Sequence, residues 1–258
     1  MMRAKDRLII VAAGCSLPAV FLLGLEFASR NGWVNPTFLP APSAIFATFA
    51  QIILTGAFFA PLVHTLTLLF VGYSIGCIAA ISLGVLMGYS RAIYNLFEPL
   101  TELIRPIPKP ALLPALILFL GLGAPMEITI VALGSFFPVL INTVQGVRAV
   151  DPVMIDTART FGHKSPAVWR RILLPASAPY VLAGMRISLG LALLLVVTSE
   201  MLSGNGGLGD AILSAQRSFL VKESYAWLIV LALVGLVLTA IFNWTEKRVA
   251  FWQAPQAQ

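Results

Sequence analysis

Charged residues are scarce in this sequence. Asp, Glu, Lys and Arg make up 11% of its 258 residues, whereas a soluble domain carries about 25%. Hydrophobic residues make up 59%, and the mean hydropathy is +0.90. This composition excludes an ordinary soluble enzyme or a nucleic-acid-binding domain. It predicts an all-α integral membrane protein in contact with lipid, and the net charge of +6 then concerns membrane orientation rather than nucleic acid.

Residues that carry chemistry are equally few. The two cysteines lie inside apolar runs, so no disulfide framework is predicted, and two isolated histidines cannot make a metal site by themselves. The phosphate-binding pattern G-x-x-x-x-G-K-[ST] is absent. Gly204, Gly206 and Gly209 match G-x-G-x-x-G, but that motif requires a preceding strand, and here a membrane helix precedes it. We therefore expect no catalytic residues, no metal and no cofactor bound by this chain, which is not predicted to be an enzyme.

Apolar runs predict about six transmembrane helices. Residues 1–28 hold an uncleaved first span, and residues 29–61 form an extracytoplasmic segment with an interfacial helix that begins at Pro42. Residues 62–258 form the core. The later spans are predicted at residues 62–89, 93–123, 127–147, 179–202 and 227–242.

Small residues recur every fourth position along the second span. This spacing places them on one side of a helix, where another helix backbone can approach closely. We interpret the ridge as a packing surface rather than a substrate site. Its members are Gly72, Gly76, Ala80, Gly84 and Gly88.

The third apolar run contains Pro106, Pro108, Pro110 and Pro114, which forbid one continuous helix. Transporters build their pathways at broken spans. Arg105, Pro106 and Pro108 are therefore candidates for a translocation path, although Arg105 could equally extend to the membrane surface.

Ser199 and Glu200, near the end of the fifth span, are further candidates for the path. An ionisable group at membrane depth is a functional candidate. The other interpretation of Glu200 is an interfacial carboxylate that is hydrogen-bonded to neighbouring backbone.

One long polar interval, residues 151–175, separates the fourth and fifth spans. Asp151 can cap a short helix that has Pro152 at its first position, and Gly162 can end it. A second helix would start near residue 165, end before Pro175 and leave Pro179 to begin the fifth span. The first helix has an apolar face and basic surroundings, which predicts a docking surface for another protein.

The distribution of Lys and Arg predicts the orientation. Eleven of the 17 fall on one side of the predicted spans, three fall on the other side, and three are unassigned. The positive-inside rule then places both termini and the 151–175 loop in the cytoplasm.

The spacing within this loop resembles the EAA loop of ABC-importer permeases. Asp156-Thr157-Ala158 stands for Glu-Ala-Ala, Gly162 follows at the family spacing, and residues 172–175 read Ile-Leu-Leu-Pro. Residues 39–43, 105–108 and 199–202 resemble segments of the nitrate, sulfonate and taurine importer branch. Lys109 departs from that branch, where an apolar residue or proline is expected.

The resemblance implies a type I ABC importer permease fold with a cytoplasmic two-helix coupling loop. ATP and Mg²⁺ would bind on separate ATPase subunits, a binding protein would deliver the solute, and the permease would act as a homodimer in a bacterial inner membrane. The cargo would be a small anion such as nitrate, a sulfonate or taurine, which Arg105 and Lys109 also favour. The implied coupling residues are Asp156, Thr157, Ala158, Phe161, Gly162, Ile172, Leu174 and Pro175.

An ion-coupled secondary transporter or channel is the other hypothesis. Such a protein should carry several ionisable residues within its spans, and this sequence offers chiefly Glu200, with Arg105 and Arg186 as further candidates.

Overall fold

The computed structural model describes residues 4–161 and 172–249, and within those ranges the regular structure is entirely helical. The α-helices are α1 Ala4–Arg30, α2 Pro42–Leu54, α3 Phe59–Tyr89, α4 Arg91–Ile104, α5 Leu113–Leu120, α6 Ala124–Arg148, α7 Pro152–Thr160, α8 Leu174–Ser203, α9 Leu208–Arg217 and α10 Val221–Val249, and a short 3₁₀-helix spans Lys109–Leu112.

Four of the described helices are long and apolar enough to cross a membrane. The pair formed by α4 and the segment Lys109–Leu120, bent by 86°, raises this number to five if it counts as one span. The all-α membrane class is thereby confirmed, while a total of six spans stays a prediction.

The chain divides into two compact units, Met1–Ala60 with Ala211–Ala232, and Pro61–Asp210 with Leu233–Gln258. In the first unit, α2 begins at Pro42, as predicted, after an Ala41 cap that has no side-chain acceptor. The Glu26 carboxylate from α1 accepts hydrogen bonds there from the Ser43 backbone N–H at 2.9 Å and its hydroxyl at 2.7 Å. A carboxylate at this helix end satisfies a free donor and complements the helix dipole.

In the second unit, the small-residue ridge of α3 lies against α6. A Cβ atom built at Gly72 would lie 2.7 Å from the Ile128 carbonyl oxygen, closer than any real contact. Ala80, in the middle of the ridge, is fully buried. The glycines of the ridge that meet α6 in this way are Gly72, Gly76, Gly84 and Gly88.

Helix α8 also packs on α6 through glycines that allow a close approach. A Cβ atom at Gly184 would lie 2.8 Å from the Pro138 carbonyl oxygen and from Asn142 Cβ. Gly146 of α6 similarly meets Tyr180 of α8 at 2.6 Å. Within the second unit, α6 therefore lies between α3 and α8 at the distances that only small residues permit.

The start of the fifth span differs from the prediction. Helix α8 begins at Leu174, with Pro175 in its first turn and Pro179 inside the helix. The sequence predicted that a helix ends before Pro175 and that Pro179 begins the fifth span. Both predictions were wrong. A proline in the first turn loses no hydrogen bond, because those N–H groups lack an intrahelical partner in any helix. Helix α9 was not predicted at all.

Candidate functional site

The prolines of the third apolar run produce the predicted break. Helix α4 ends at Ile104, and the chain turns through a short 3₁₀ segment into α5. The turn borders a cavity of about 550 Å³, whose other walls come from α6 and α8. Phe137 and Asn142 contribute from α6, and Leu194 from α8.

Three of the predicted path residues line this cavity: Arg105, Pro106 and Pro108. The Arg105 guanidinium lies 3.3 Å from the Glu102 carboxylate, and both side chains are about half exposed, at 53% and 56%. An exposed ion pair of this kind contributes little to stability. Arg105 is thus a solvent-accessible cation at the cavity wall.

Glu200 lies elsewhere, fully buried at the turn between α8 and α9. The Thr65 hydroxyl donates to its carboxylate, at 2.7 and 3.0 Å from the two oxygens, and the Gly209 backbone N–H donates at 2.9 Å. His64 Nδ1 lies 3.4 Å away. Thr65 in turn accepts from the Leu208 N–H at 2.9 Å.

These bonds have a local cause. Helix α8 ends at Gly204 in the left-handed conformation, and the chain turns back through Gly206 and Gly207, which also have positive φ. The first N–H groups of α9 need acceptors, which Glu200 and Thr65 provide. A Cβ atom at Gly207 would overlap the Glu200 carboxylate. The contacts match the second interpretation of Glu200, a carboxylate bonded to neighbouring backbone.

The predicted path residues therefore fall into two groups. Ser199 is fully buried, and its hydroxyl donates to the Val196 carbonyl at 2.8 Å. Neither Ser199 nor Glu200 lines the cavity beside Arg105. A path role for this pair stays a prediction.

Glu127 is a buried carboxylate that the sequence argument overlooked. It lies in the first turn of α6, is fully buried, and bonds to the Ser203 hydroxyl. Its second oxygen has no hydrogen-bond partner among the described residues. The rule that makes an ionisable residue at membrane depth a functional candidate applies to Glu127, the first residue of the predicted fourth span, as it does to Glu200.

The described part of the coupling loop begins as predicted. The Asp151 carboxylate accepts from the Val153 N–H at 2.9 Å, and α7 starts at Pro152. Met154 and Phe161 leave 50% and 79% of their surfaces exposed. Asp156 and Thr157 are exposed on the same short helix, Ala158 lies within it, and Gly162 and the predicted second helix fall outside the described residues.

The far end of the loop is anchored in the core. Leu173, only 1% exposed, packs with Val85, Val147 and Val150, and Ile172 contacts the same cluster. Leu174 and Pro175 are exposed at the start of α8. The structure thus holds one end of the loop rigidly while presenting apolar side chains at the other end.

Comparison with protein families matches residues 72–251 to the binding-protein-dependent transport system inner membrane component. A putative aliphatic sulfonates transport permease, SsuC of Bacillus subtilis, is 32% identical over 93% of this chain and 87% of its own length. A putative ABC transporter permease of Methanocaldococcus jannaschii is 36% identical over 85% of this chain and 84% of its own length. The nitrate import permease NrtB of Synechocystis is 33% identical over 72% of this chain and 67% of its own length.

Among solved structures, an inward-facing form of the MetNI methionine ABC transporter matches with a TM-score of 0.59. The match covers 72% of this chain and 91% of that chain, at 20% identity. It indicates a shared fold.

Proposed function

Because this chain belongs to the binding-protein-dependent transport system inner membrane component family of ABC importer permeases, we propose that two copies enclose a path for a small solute. ATP hydrolysis on separate subunits drives the path between inward-open and outward-open states. The observation that carries the proposal is the exposure of apolar side chains in α7 and directly after it, at the position of the coupling motif.

The coupling residues are Asp156, Thr157, Ala158, Phe161, Gly162, Ile172, Leu174 and Pro175. Exposed Met154 of α7 and Phe161, which directly follows α7, fit a groove on an ATPase, since exposed aromatic side chains commonly anchor protein interfaces. Leu173 would pass the movement of the loop to α3 and α6, because its cluster is close-packed and transmits displacement. Two such loops moving together would reorient the path by rigid-body motion.

The partners follow from the family. ATP and Mg²⁺ act on the ATPase subunits, a binding protein delivers cargo on the outer side, and both termini lie in the cytoplasm of a bacterial inner membrane. For the cargo, relatives named for sulfonates and nitrate support a small anion, and the accessible guanidinium of Arg105 at the cavity wall suits a negative group.

Co-purification tests the docking role. When the permease is co-expressed with its cognate ATPase, Phe161→Glu should weaken ATPase retention by roughly 30-fold or more in Kd, which corresponds to about 2 kcal/mol for an aromatic anchor. Phe219→Glu is the matched control, because Phe219 is equally exposed at 80% but lies in the turn before α10. Equal retention in both variants would refute the docking surface.

The energy source for transport distinguishes the ion-coupled hypothesis from the proposed ATP-driven importer. Vesicles that contain the permease and its ATPase, supplied with the binding protein on the outer side, should accumulate solute only with ATP, and a collapsed proton or sodium gradient should leave the rate unchanged. Accumulation without the ATPase would instead identify a secondary transporter and direct attention to Glu127 and Glu200.

A further inference from the structure

Lys109 occupies an unusual place at the break between α4 and α5. Its ammonium lies 3.1 Å from the carbonyl oxygens of Ile104 and Ile107 and 3.4 Å from that of Arg105. It also lies 4.2 Å from the centre of the Phe137 ring on α6. The same residue lines the 550 Å³ cavity.

The carbonyl contacts follow from the prolines. In a continuous helix the Ile104 carbonyl would accept from the N–H four residues later, but that residue is Pro108, which has none. The Ile107 N–H donates to this carbonyl at 3.2 Å, and the Lys109 ammonium is its second donor. The Ile107 carbonyl would accept from Ala111, whose N–H instead donates to Pro108 at 3.0 Å. The ammonium of Lys109 supplies donors at the end of α4, where the helix dipole also favours a positive charge.

The ring contact connects this break to a second irregular point. Phe137 immediately precedes Pro138, which lies inside α6, and both residues line the cavity. A cation over an aromatic face is attracted to it, more strongly where water is excluded. Lys109 thus donates hydrogen bonds to carbonyls at the end of α4 and in the turn after it, and makes a cation–π contact with the Phe137 ring of α6.

We propose that Lys109 is the positioning residue of the broken span: its ammonium fixes the end of α4 against α6 and so sets the shape of the cavity. An ammonium has three N–H donors, and three carbonyls surround this one. The Lys109 ammonium therefore holds the cavity walls in place and does not bind an anionic cargo. Binding of the cargo is the role of Arg105. That the cavity carries cargo rests on the proposed function.

The test measures access to the cavity with a water-soluble maleimide on the full-length chain in detergent. Leu194→Cys, 55% exposed at the cavity wall, reports on the cavity in a background without Cys15 and Cys77. Adding Lys109→Met should change its labelling rate by roughly tenfold, the effect of losing one charge-assisted hydrogen bond. Leu54→Cys, 86% exposed at the end of α2 and not part of the cavity lining, should keep its rate.

Two further variants separate positioning from a general loss of structure. Lys109→Arg keeps the positive charge and its attraction to the ring but replaces the compact ammonium by a planar guanidinium, so its labelling rate should change less than that of Lys109→Met. Lys222→Met, at an exposed lysine outside the cavity, should change neither rate. An unchanged rate at Leu194→Cys in Lys109→Met would overturn the proposal, as would an equal change at Leu54→Cys.

If Lys109→Met does not yield folded protein, Phe137→Leu decides the question, because it removes the ring that the ammonium contacts. Phe136→Leu is its control, because it removes the ring that packs edge-on against Phe137 and leaves the ammonium contact in place. A larger change in labelling at Leu194→Cys in Phe137→Leu than in Phe136→Leu supports the proposal, and equal effects or no change overturn it. The labelling requires neither an ATPase nor cargo, so its failure is distinct from a failure of the proposed function.

Discussion

At the residue scale, the buried carboxylates show how a charge is stabilised inside an apolar protein. Glu200 is fully buried, yet it accepts hydrogen bonds from Thr65 and from the start of α9. Burial of a charge is costly unless donors replace water. The sequence could identify Glu200 as exceptional, but its donors come from residues 65 and 209, which only the fold brings to it.

Replacing Glu200 tests this account. Glu200→Gln keeps the shape but directs an NH₂ group at Thr65 or Gly209, both of which donate. We expect the free energy of unfolding to fall by about 1–3 kcal/mol, the cost of leaving a buried donor unpaired. The measurement is the thermal unfolding midpoint in detergent.

Glu102→Gln is the control for Glu200→Gln. Glu102 is 56% exposed and pairs with Arg105 at the surface, so its loss should cost less than about 1 kcal/mol. Equal shifts in the two variants would show that the bonds around Glu200 contribute no special stability.

At the scale of helices, glycine spacing determines how closely α3 and α8 approach α6. Spacing of four residues predicted a smooth surface on α3, and that surface lies against α6. The glycines of α8 have no such period, so the sequence did not distinguish Gly184, which meets Pro138, from Gly190, which meets nothing within 4 Å. The partner of a packing surface depends on which helices the fold brings together.

A pair of glycine substitutions checks this packing. Gly76→Ala would place Cβ 2.5 Å from the Ala132 carbonyl oxygen and 3.0 Å from Ser135 Cβ. We expect a loss of about 1–3 kcal/mol in unfolding free energy, since two backbones must separate. Gly190→Ala fills open space in a helix and should be neutral or stabilising by up to about 1 kcal/mol. Destabilisation by both variants to the same extent would contradict close packing as the cause.

At the scale of the whole molecule, orientation in the membrane governs function. The distribution of Lys and Arg predicts that α7 faces the cytoplasm and residues 29–61 face outward. Only that orientation lets α7 meet an ATPase and lets the other side meet a binding protein.

Site-directed labelling measures this orientation. In a background without Cys15 and Cys77, an impermeant maleimide should label Leu54→Cys in intact cells but not Phe161→Cys. Inverted vesicles should show the reverse. Both positions are well exposed, at 86% and 79%, so a difference reports the side of the membrane. Labelling of Phe161→Cys in intact cells would place α7 outside and exclude the proposed coupling.

The sequence by itself determined the membrane class, the broken third span and the start of α7 at Pro152. Those features depend on composition and on local rules: apolar length, proline's missing donor and the capping of α7 by Asp151. It did not determine that α8 starts at Leu174, because a proline can end a helix or begin one, and the surrounding packing decides which. The tertiary structure alone decided which side chains meet at the cavity and around the buried carboxylates. Lys109 reaching Phe137, Thr65 reaching Glu200 and Ser203 reaching Glu127 join residues 28 to 135 positions apart, and no local pattern records which side chains meet across such distances.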